Sequence, residues 1–213
     1  MKNIFISIIV VLLMVSCNTE TKHTYFDNGK TASELNYKND VLDGVSKYFF
    51  ETGKLQSEYT YKAGKLEGRA AEYYFDGRLM REMFYKNGEL TSIDKTYFEN
   101  GNVNEFYTYK QGLKHGKYSA FYYKGGVRIE GEYYDNQIDG HWLYYDKYGR
   151  TIGEGEFNKG VGVLTHYYPN GKKQRTVEYR NSEKNGKEIR YDKAGNIVEE
   201  LIFKDGIEVI VND

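Results

Sequence analysis

Residues 49–77 read FFETGKLQSEYTYKAGKLEGRAAEYYFDG, and they decide the fold. Two kinds of turn signal alternate in them. Phe49-Phe-Glu-Thr-Gly53 and Tyr73-Tyr-Phe-Asp-Gly77 lead aromatic residues into a Gly, and Tyr61-Lys-Ala-Gly-Lys-Leu-Glu-Gly68 lies between. Within the stretch, Leu55, Ser57, Tyr59 and Tyr61 alternate with Gln56, Glu58 and Thr60, the period of a half-buried strand. Gly costs about 1 kcal/mol per position inside a helix, so this spacing leaves little room for helices.

Working outward, the first signal recurs at Tyr25-Phe-Asp-Asn-Gly29, Tyr97-Phe-Glu-Asn-Gly101 and Tyr122-Tyr-Lys-Gly-Gly126. It continues at Tyr145-Asp-Lys-Tyr-Gly149, Tyr167-Tyr-Pro-Asn-Gly171 and Tyr191-Asp-Lys-Ala-Gly195, with Gly spacings of 24, 24, 24, 25, 23, 22 and 24. The second signal recurs at Tyr37, Tyr61, Tyr85, Tyr109, Tyr133, Phe157, Tyr179 and Phe203. Eight units with two turns each predict sixteen short strands, because turn signals about every 12 residues are the spacing of an antiparallel all-β chain. Asn-Gly occurs five times and Asp-Gly four times, the strongest short-range hairpin cues because both residues accept a positive φ. A Glu stands three residues before the marker aromatic at Glu34, Glu58, Glu82, Glu130, Glu154 and Glu200, with Phe106 and Thr176 breaking the series.

These units resemble the bacterial variant of the MORN repeat, with its Tyr-x-x-Gly, Leu-x-x-Glu-x-x-Tyr and Lys-x-Gly-x-x-x-Gly pattern. The resemblance covers about Tyr25 to Val211 and is best in Lys54 to Gly68 and Arg78 to Leu90. Departures are Asp40 at a turn Gly, Ser92 and Leu164 at the second Gly, and the terminal Ile207-Glu-Val-Ile-Val. Such chains are similar to YwqK-family antitoxins of toxin–antitoxin systems, which implies an elongated meander of hairpins used as a binding scaffold. Repeat physics leads to the same fold class, all-β with one elongated antiparallel sheet of about eight tandem hairpins. Each hairpin pairs with the next, and sixteen strands at about 4.8 Å make a sheet on the order of 70 Å long. Tyr and Phe ladders then have to supply the burial, at roughly 0.2–1 kcal/mol per cross-strand pair.

The N-terminus carries an address. Lys2 precedes a twelve-residue stretch from Ile4 to Val15 that only Ser7 interrupts, which is signal-peptide length and short of the roughly 20 apolar residues of a span. Cys17 is the single cysteine and follows Ser16 at the cleavage position, which resembles the lipobox of bacterial lipoproteins, with Met14 where that family prefers Leu. The alternative is an ordinary secretory signal with an incidental Cys17. The expected organisation is a signal peptide over 1–16, a short lipidated tether over 17–24 with Cys17 as the lipid attachment, and a repeat domain over 25–213. Asn18 after the Cys is not the Asp of inner-membrane retention, which favours the outer membrane.

Composition excludes several functions. The 30 basic and 31 acidic residues provide no electrostatic footprint for nucleic acid, and one Cys excludes a disulfide framework or Cys-rich zinc site. His23, His115, His141 and His166 fall in no metal spacing, and neither a G-x-S-x-G nor a phosphate-binding Gly motif is present. No enzyme, cofactor or metal is therefore predicted. Asp135 to Asp146 imitates an EF-hand loop, but its flanks, Tyr133-Tyr134 and Tyr144-Tyr145, read as strands rather than helices. The Glu series reads as a solvated polar face paired with Lys and Arg, since repetition gives these carboxyls similar environments. Tyr at repeat positions reads as structural, which leaves the irregular Trp142, Phe106 and Phe121 as candidate contacts. The expected function is a secreted, lipid-anchored scaffold that mediates protein–protein interaction in the cell envelope. The alternatives are neutralisation of a cognate toxin, or binding of phospholipid or envelope polysaccharide by the sheet face. The last is weakened by charge, because removing 1–16 takes away Lys2 and leaves 29 basic against 31 acidic residues.

Overall fold

A computed structural model describes residues 18–209 of the 213-residue chain. Among the described residues eighteen strands make one antiparallel sheet, each pairing with its neighbours in sequence except that β3 and β4 both pair with β2. They are β1 (Thr19–Tyr25), β2 (Thr31–Lys38), β3 (Val41–Leu42), β4 (Gly44–Phe49), β5 (Leu55–Lys62) and β6 (Lys65–Tyr73). Next come β7 (Leu79–Lys86), β8 (Glu89–Tyr97), β9 (Val103–Lys110), β10 (Leu113–Phe121), β11 (Val127–Tyr134) and β12 (Gln137–Tyr145). The series ends with β13 (Thr151–Asn158), β14 (Val161–Tyr167), β15 (Lys173–Arg180), β16 (Glu183–Tyr191), β17 (Ile197–Lys204) and β18 (Ile207–Val209).

Two differences separate this count from the expected sixteen. Asp43 breaks one strand into β3 and β4. More informatively, Thr19–Tyr25 is a strand, so the sheet begins inside the segment expected as a tether over 17–24. The polar side chains of Thr19 to Thr24 gave no apolar signal, but β1 needs none. It pairs with β2 through its backbone over seven residue pairs, and its side chains stay exposed. Cys17 and the 1–16 segment lie outside the described residues.

The two turn families sit on opposite edges of the ribbon. The second signal forms two-residue turns with positive φ at both centres, as at Asn87 (54°) and Gly88 (88°). Asp40 fills a Gly place in this family at φ 62°, which short polar side chains tolerate. The first signal forms a wider turn in which the Gly N–H donates back to the residue three before it, as Gly77 does to Tyr74 at 2.8 Å. Each of these turns is followed by a register shift in the adjoining strand pair.

The nine Asn-Gly and Asp-Gly pairs are not all turns. Asp43-Gly44, Asp139-Gly140 and Asn185-Gly186 lie where the second strand of a unit bulges, with Gly φ of 105°, 64° and 109°. There the residue before the Gly reaches forward into the next repeat. Asp43 Oδ2 accepts from Ala63 N–H at 3.0 Å, Glu67 from Asn87 N–H at 2.7 Å, and Asp139 from Lys159 N–H at 2.8 Å. Alongside them, Gly64 N–H donates to Leu42 O, Gly88 to Leu66 and Gly112 to Leu90 at 2.8–2.9 Å. Successive repeats are thus bonded through their turns as well as their strands. Gly162 departs from the pattern. β13 and β14 pair with no register shift, and β14 is seven residues long where β12 and β16 have nine. The 22-residue spacing is a repeat that has lost its bulge.

Three files of side chains share the front face. One holds the marker aromatics Tyr61, Tyr85, Tyr109, Tyr133, Phe157 and Tyr179. A central file runs through Ser46, Tyr59, Ala70, Met83, Asp94, Tyr107 and Tyr118 to Trp142, Leu164, Val177 and Glu188. The core is densest where Tyr118, Ala120, Trp142, Phe157 and Leu164 meet. The recurring Glu residues occupy the back face, where Glu82 bonds Arg69 at 2.6 Å and Glu200 bonds Lys187 at 2.6 Å. Glu58 also lies 3.9 Å from Arg69, whereas Glu154 meets His141 and Tyr167, so the Lys and Arg pairing anticipated for the series holds for three of its six members among the described residues.

Candidate functional site

Unlike the file of marker aromatics, the third front-face file is filled by no single residue type. On successive even strands it holds Tyr48, Glu72, Thr96, Ala120, Tyr144, His166 and Arg190, and on the odd strands between them Ser57, Arg81, Glu105, Ile129, Gly153 and Arg175. The repeat therefore does not dictate these residues. A groove of about 640 Å³ opens here across β4 to β7.

Tyr48 and Tyr59 form its floor, with ring centroids 6.1 Å apart and nearly edge-on. Phe50 and Phe75, from consecutive wide turns, form a rim with centroids 5.3 Å apart, and Met80 lines the same space. Phe75 is 60% exposed although it packs on Phe50, a turn-to-turn contact that Phe98 and Tyr123 repeat at the same 5.3 Å. The turn carrying Phe75 is held because Tyr74 donates its hydroxyl to Tyr97 O at 2.6 Å.

One carboxylate enters this aromatic space. Glu72 accepts from the Tyr59 hydroxyl at 3.1 Å and forms no ion pair among the described residues. Its cross-strand neighbour Arg81 is committed elsewhere, donating from Nε and Nη2 to the two oxygens of Asp94 at 2.9 and 2.8 Å. Burial, and then the Glu72 charge, push the Tyr59 hydroxyl above its ordinary pKa. The trio Glu72, Arg81 and Asp94 carries one negative charge in excess.

The residues singled out from sequence fall elsewhere. Trp142 is 4% exposed, so it is core and not a contact residue; its indole N–H donates to Glu132 O and Asp139 O at 3.2 and 3.1 Å. Phe106 and Phe121 are half-buried and stack on one another at 6.4 Å. The acidic residues of 135–146 are spread along a strand: Asp135 sits in a turn beside His115, and Asp146 bonds Arg150 at the other end of β12. Among the described residues no group of three or more His, Cys, Asp or Glu is placed to hold a metal ion, and no helix is long and apolar enough to cross a membrane. Sequence reasoning passed over the groove because its aromatics looked like repeat positions. The signal that could have found it is Glu72, a charge where the preceding repeat has Tyr48.

A groove on an open, singly layered repeat sheet defines a β-repeat scaffold. The MORN repeat variant family matches residues 24–39, 42–63, 66–87, 161–181 and 184–205, so these five segments are similar to that repeat. The unmatched centre, 88–160, holds Trp142 and all of its core cluster but Leu164, together with the Ser92 departure, and it keeps the same strand order. No curated protein matches the chain.

Proposed function

We propose that this protein is a lipid-anchored scaffold of the cell envelope, held at the membrane through Cys17, that binds a protein partner on the front face of its sheet. The groove carries this reading. Phe75, Phe50 and Met80 offer apolar surface outside the core, with Phe75 largely exposed, on a sheet with no second layer over it among the described residues. The apolar run before Cys17 supports the anchor and the envelope address, with the outer membrane favoured by Asn18.

Affinity capture from envelope fractions tests it, with the full chain compared against Phe75→Ser. Phe75 is an exposed turn residue, so the variant keeps its fold. One stoichiometric protein retained by the wild type and lost by Phe75→Ser is the expected result. Equal capture by both chains, or enrichment of lipid or glycan alone, overturns the reading. Cys17→Ser should release the protein into the soluble fraction, and a variant that still pellets with membranes after a salt wash removes lipid at Cys17 from the account.

A further inference from the structure

We infer that the groove selects a cationic side chain, the Lys or Arg of a partner segment that also presents apolar residues. This rests on the groove being the binding surface and adds what it recognises. Three observations carry it. The walls are aromatic rings from Tyr48, Tyr59, Phe50 and Phe75, whose faces, though not their edges, attract a cation through the ring quadrupole. Glu72 sits among them, half-buried, with a phenol as its hydrogen-bond donor and no ionic partner among the described residues. Arg81, the cation nearest in register, is already engaged by both oxygens of Asp94, which is 5% exposed and would be left buried and unpaired if Arg81 turned away.

A carboxylate held beside aromatic rings has only part of its water shell, and an incoming guanidinium or ammonium replaces the missing contacts. Arg suits the site in two ways. Its planar group stacks on a ring while donating along its edge to Glu72, and its methylene stem covers Met80 and Phe75. An acidic ligand would meet the excess negative charge of Glu72. A purely apolar ligand would cover the carboxylate and leave it unpaired, at a cost in affinity. The site is thus selective by charge sign as well as by shape.

The test uses fluorescence anisotropy with the full chain and labelled pentapeptides of sequence Gly-Leu-Xaa-Leu-Gly, where Xaa is Arg or its neutral isostere citrulline. The expected result is at least fivefold tighter binding of the Arg peptide, a preference that shrinks as salt is raised and vanishes in Glu72→Gln. Gln keeps an acceptor for Tyr59, so the fold is maintained, and an unchanged thermal melt verifies this. Equal binding of both peptides by the wild type, with Phe75→Ser abolishing each, overturns the charge selection and leaves the groove as a binding surface. Binding of both peptides undiminished in Phe75→Ser overturns the groove itself. Failure of the wild type to bind the Arg peptide overturns the inference, and the capture experiment then decides the groove separately.

Discussion

Arg175 on β15 and Arg190 on β16 stand directly opposite one another, two guanidinium side chains in a single cross-strand pair. Like charges so placed repel, and the sheet tolerates them because Glu188 is fully buried beside them. Its carboxylate accepts from Lys184 at 2.7 Å and Arg190 at 3.0 Å, with Arg175 3.9 Å away. Arg175 is turned instead onto His166 Nε2, at 3.1 Å. Burial, and then the Arg175 charge, hold the His166 imidazole below its ordinary pKa, in the neutral form that can accept this bond.

Glu188→Gln leaves Lys184 and Arg175 without their counter-charge and Arg190 with Glu199 alone, and should destabilise the C-terminal repeats by about 2–4 kcal/mol at neutral pH. The effect is pH-dependent. Burial raises the Glu188 pKa, but the bonds from Lys184 and Arg190 and the nearby charges outweigh it, so the net shift is downward from 4.5. A carboxyl with a lowered folded pKa stabilises above its unfolded value and loses that contribution as pH falls through the folded one. Denaturant melts should therefore show the wild-type advantage over Glu188→Gln at pH 7, shrinking below about pH 4.5. A constant difference down to pH 2 would mean the stabilisation is packing rather than charge.

The Arg81–Asp94 fork joins β7 to β8 inside the front face and should be worth more than a surface pair. Arg81→Ala strands Asp94, whose side chain is 7% exposed, and should cost about 2–3 kcal/mol, less than a fully buried pair because Arg81 is partly in water. Arg81→Lys should recover only part of this, since one ammonium cannot reproduce the two parallel bonds. Full recovery in urea melts would show that the fork geometry is immaterial.

Much of this fold was legible because its two instructions, turn residues and period-2 alternation, are local. Ser57, Tyr59 and Tyr61 do share one face, and Glu58 and Thr60 the other. What local reading could not separate is which positive-φ residue makes a turn and which a bulge. Asp43-Gly44 and Asp76-Gly77 are the same dipeptide, and only the strand pairing around them distinguishes the outcomes. The bonds from Asp43, Glu67 and Asp139 into following turns join residues 20 apart and become visible once the repeats are stacked. Trp142 was misread for a related reason. Its irregularity in the repeat suggested exposure, but Gly131 opposite it supplies a gap that the indole fills. The site was less legible than the fold, because a groove is a relation between residues of four strands.

Buried tyrosines of the front face should resist ionisation. Tyr144 is pushed up to about 12, first by burial and then by Tyr179 and Tyr133, and burial also raises Tyr107 and Tyr118. Groups whose folded pKa is raised stabilise below their unfolded value, near 10, and that stability is lost as pH climbs through the folded one. A spectrophotometric titration should resolve a late class ionising around pH 12 together with unfolding, separate from the ordinary tyrosine range near pH 10. A single transition near pH 10 would contradict the burial of these rings.

Two glycines separate two ways of damaging the sheet. At Gly77 the φ is +96° and nothing lies within 4 Å of an added Cβ, so Gly77→Val suffers only backbone strain, about 1–3 kcal/mol. At Gly131 the backbone is unremarkable, but an added Cβ would fall 2.3 Å from the Trp142 ring. Gly131→Ala must displace the indole or bend β11, at about 2–4 kcal/mol, despite being the smaller change. Trp142 is the only tryptophan, so its fluorescence reports this locally. Gly131→Ala should shift the emission to the red as the ring is exposed, whereas Gly77→Val should leave it unchanged. Hydrogen exchange should place the Gly77→Val losses in the hairpins around β6 and β7, because strands contact their sequence neighbours and damage stays local. One long link limits this locality: Ile138 N–H donates to Ser182 Oγ at 3.0 Å, across 44 residues. It ties β12 to the turn after β15, so protection lost at Gly131→Ala should extend to that turn. Uniform loss of protection over β1 to β18 in Gly77→Val would show that the sheet unfolds as one unit and that its repeats are not independent.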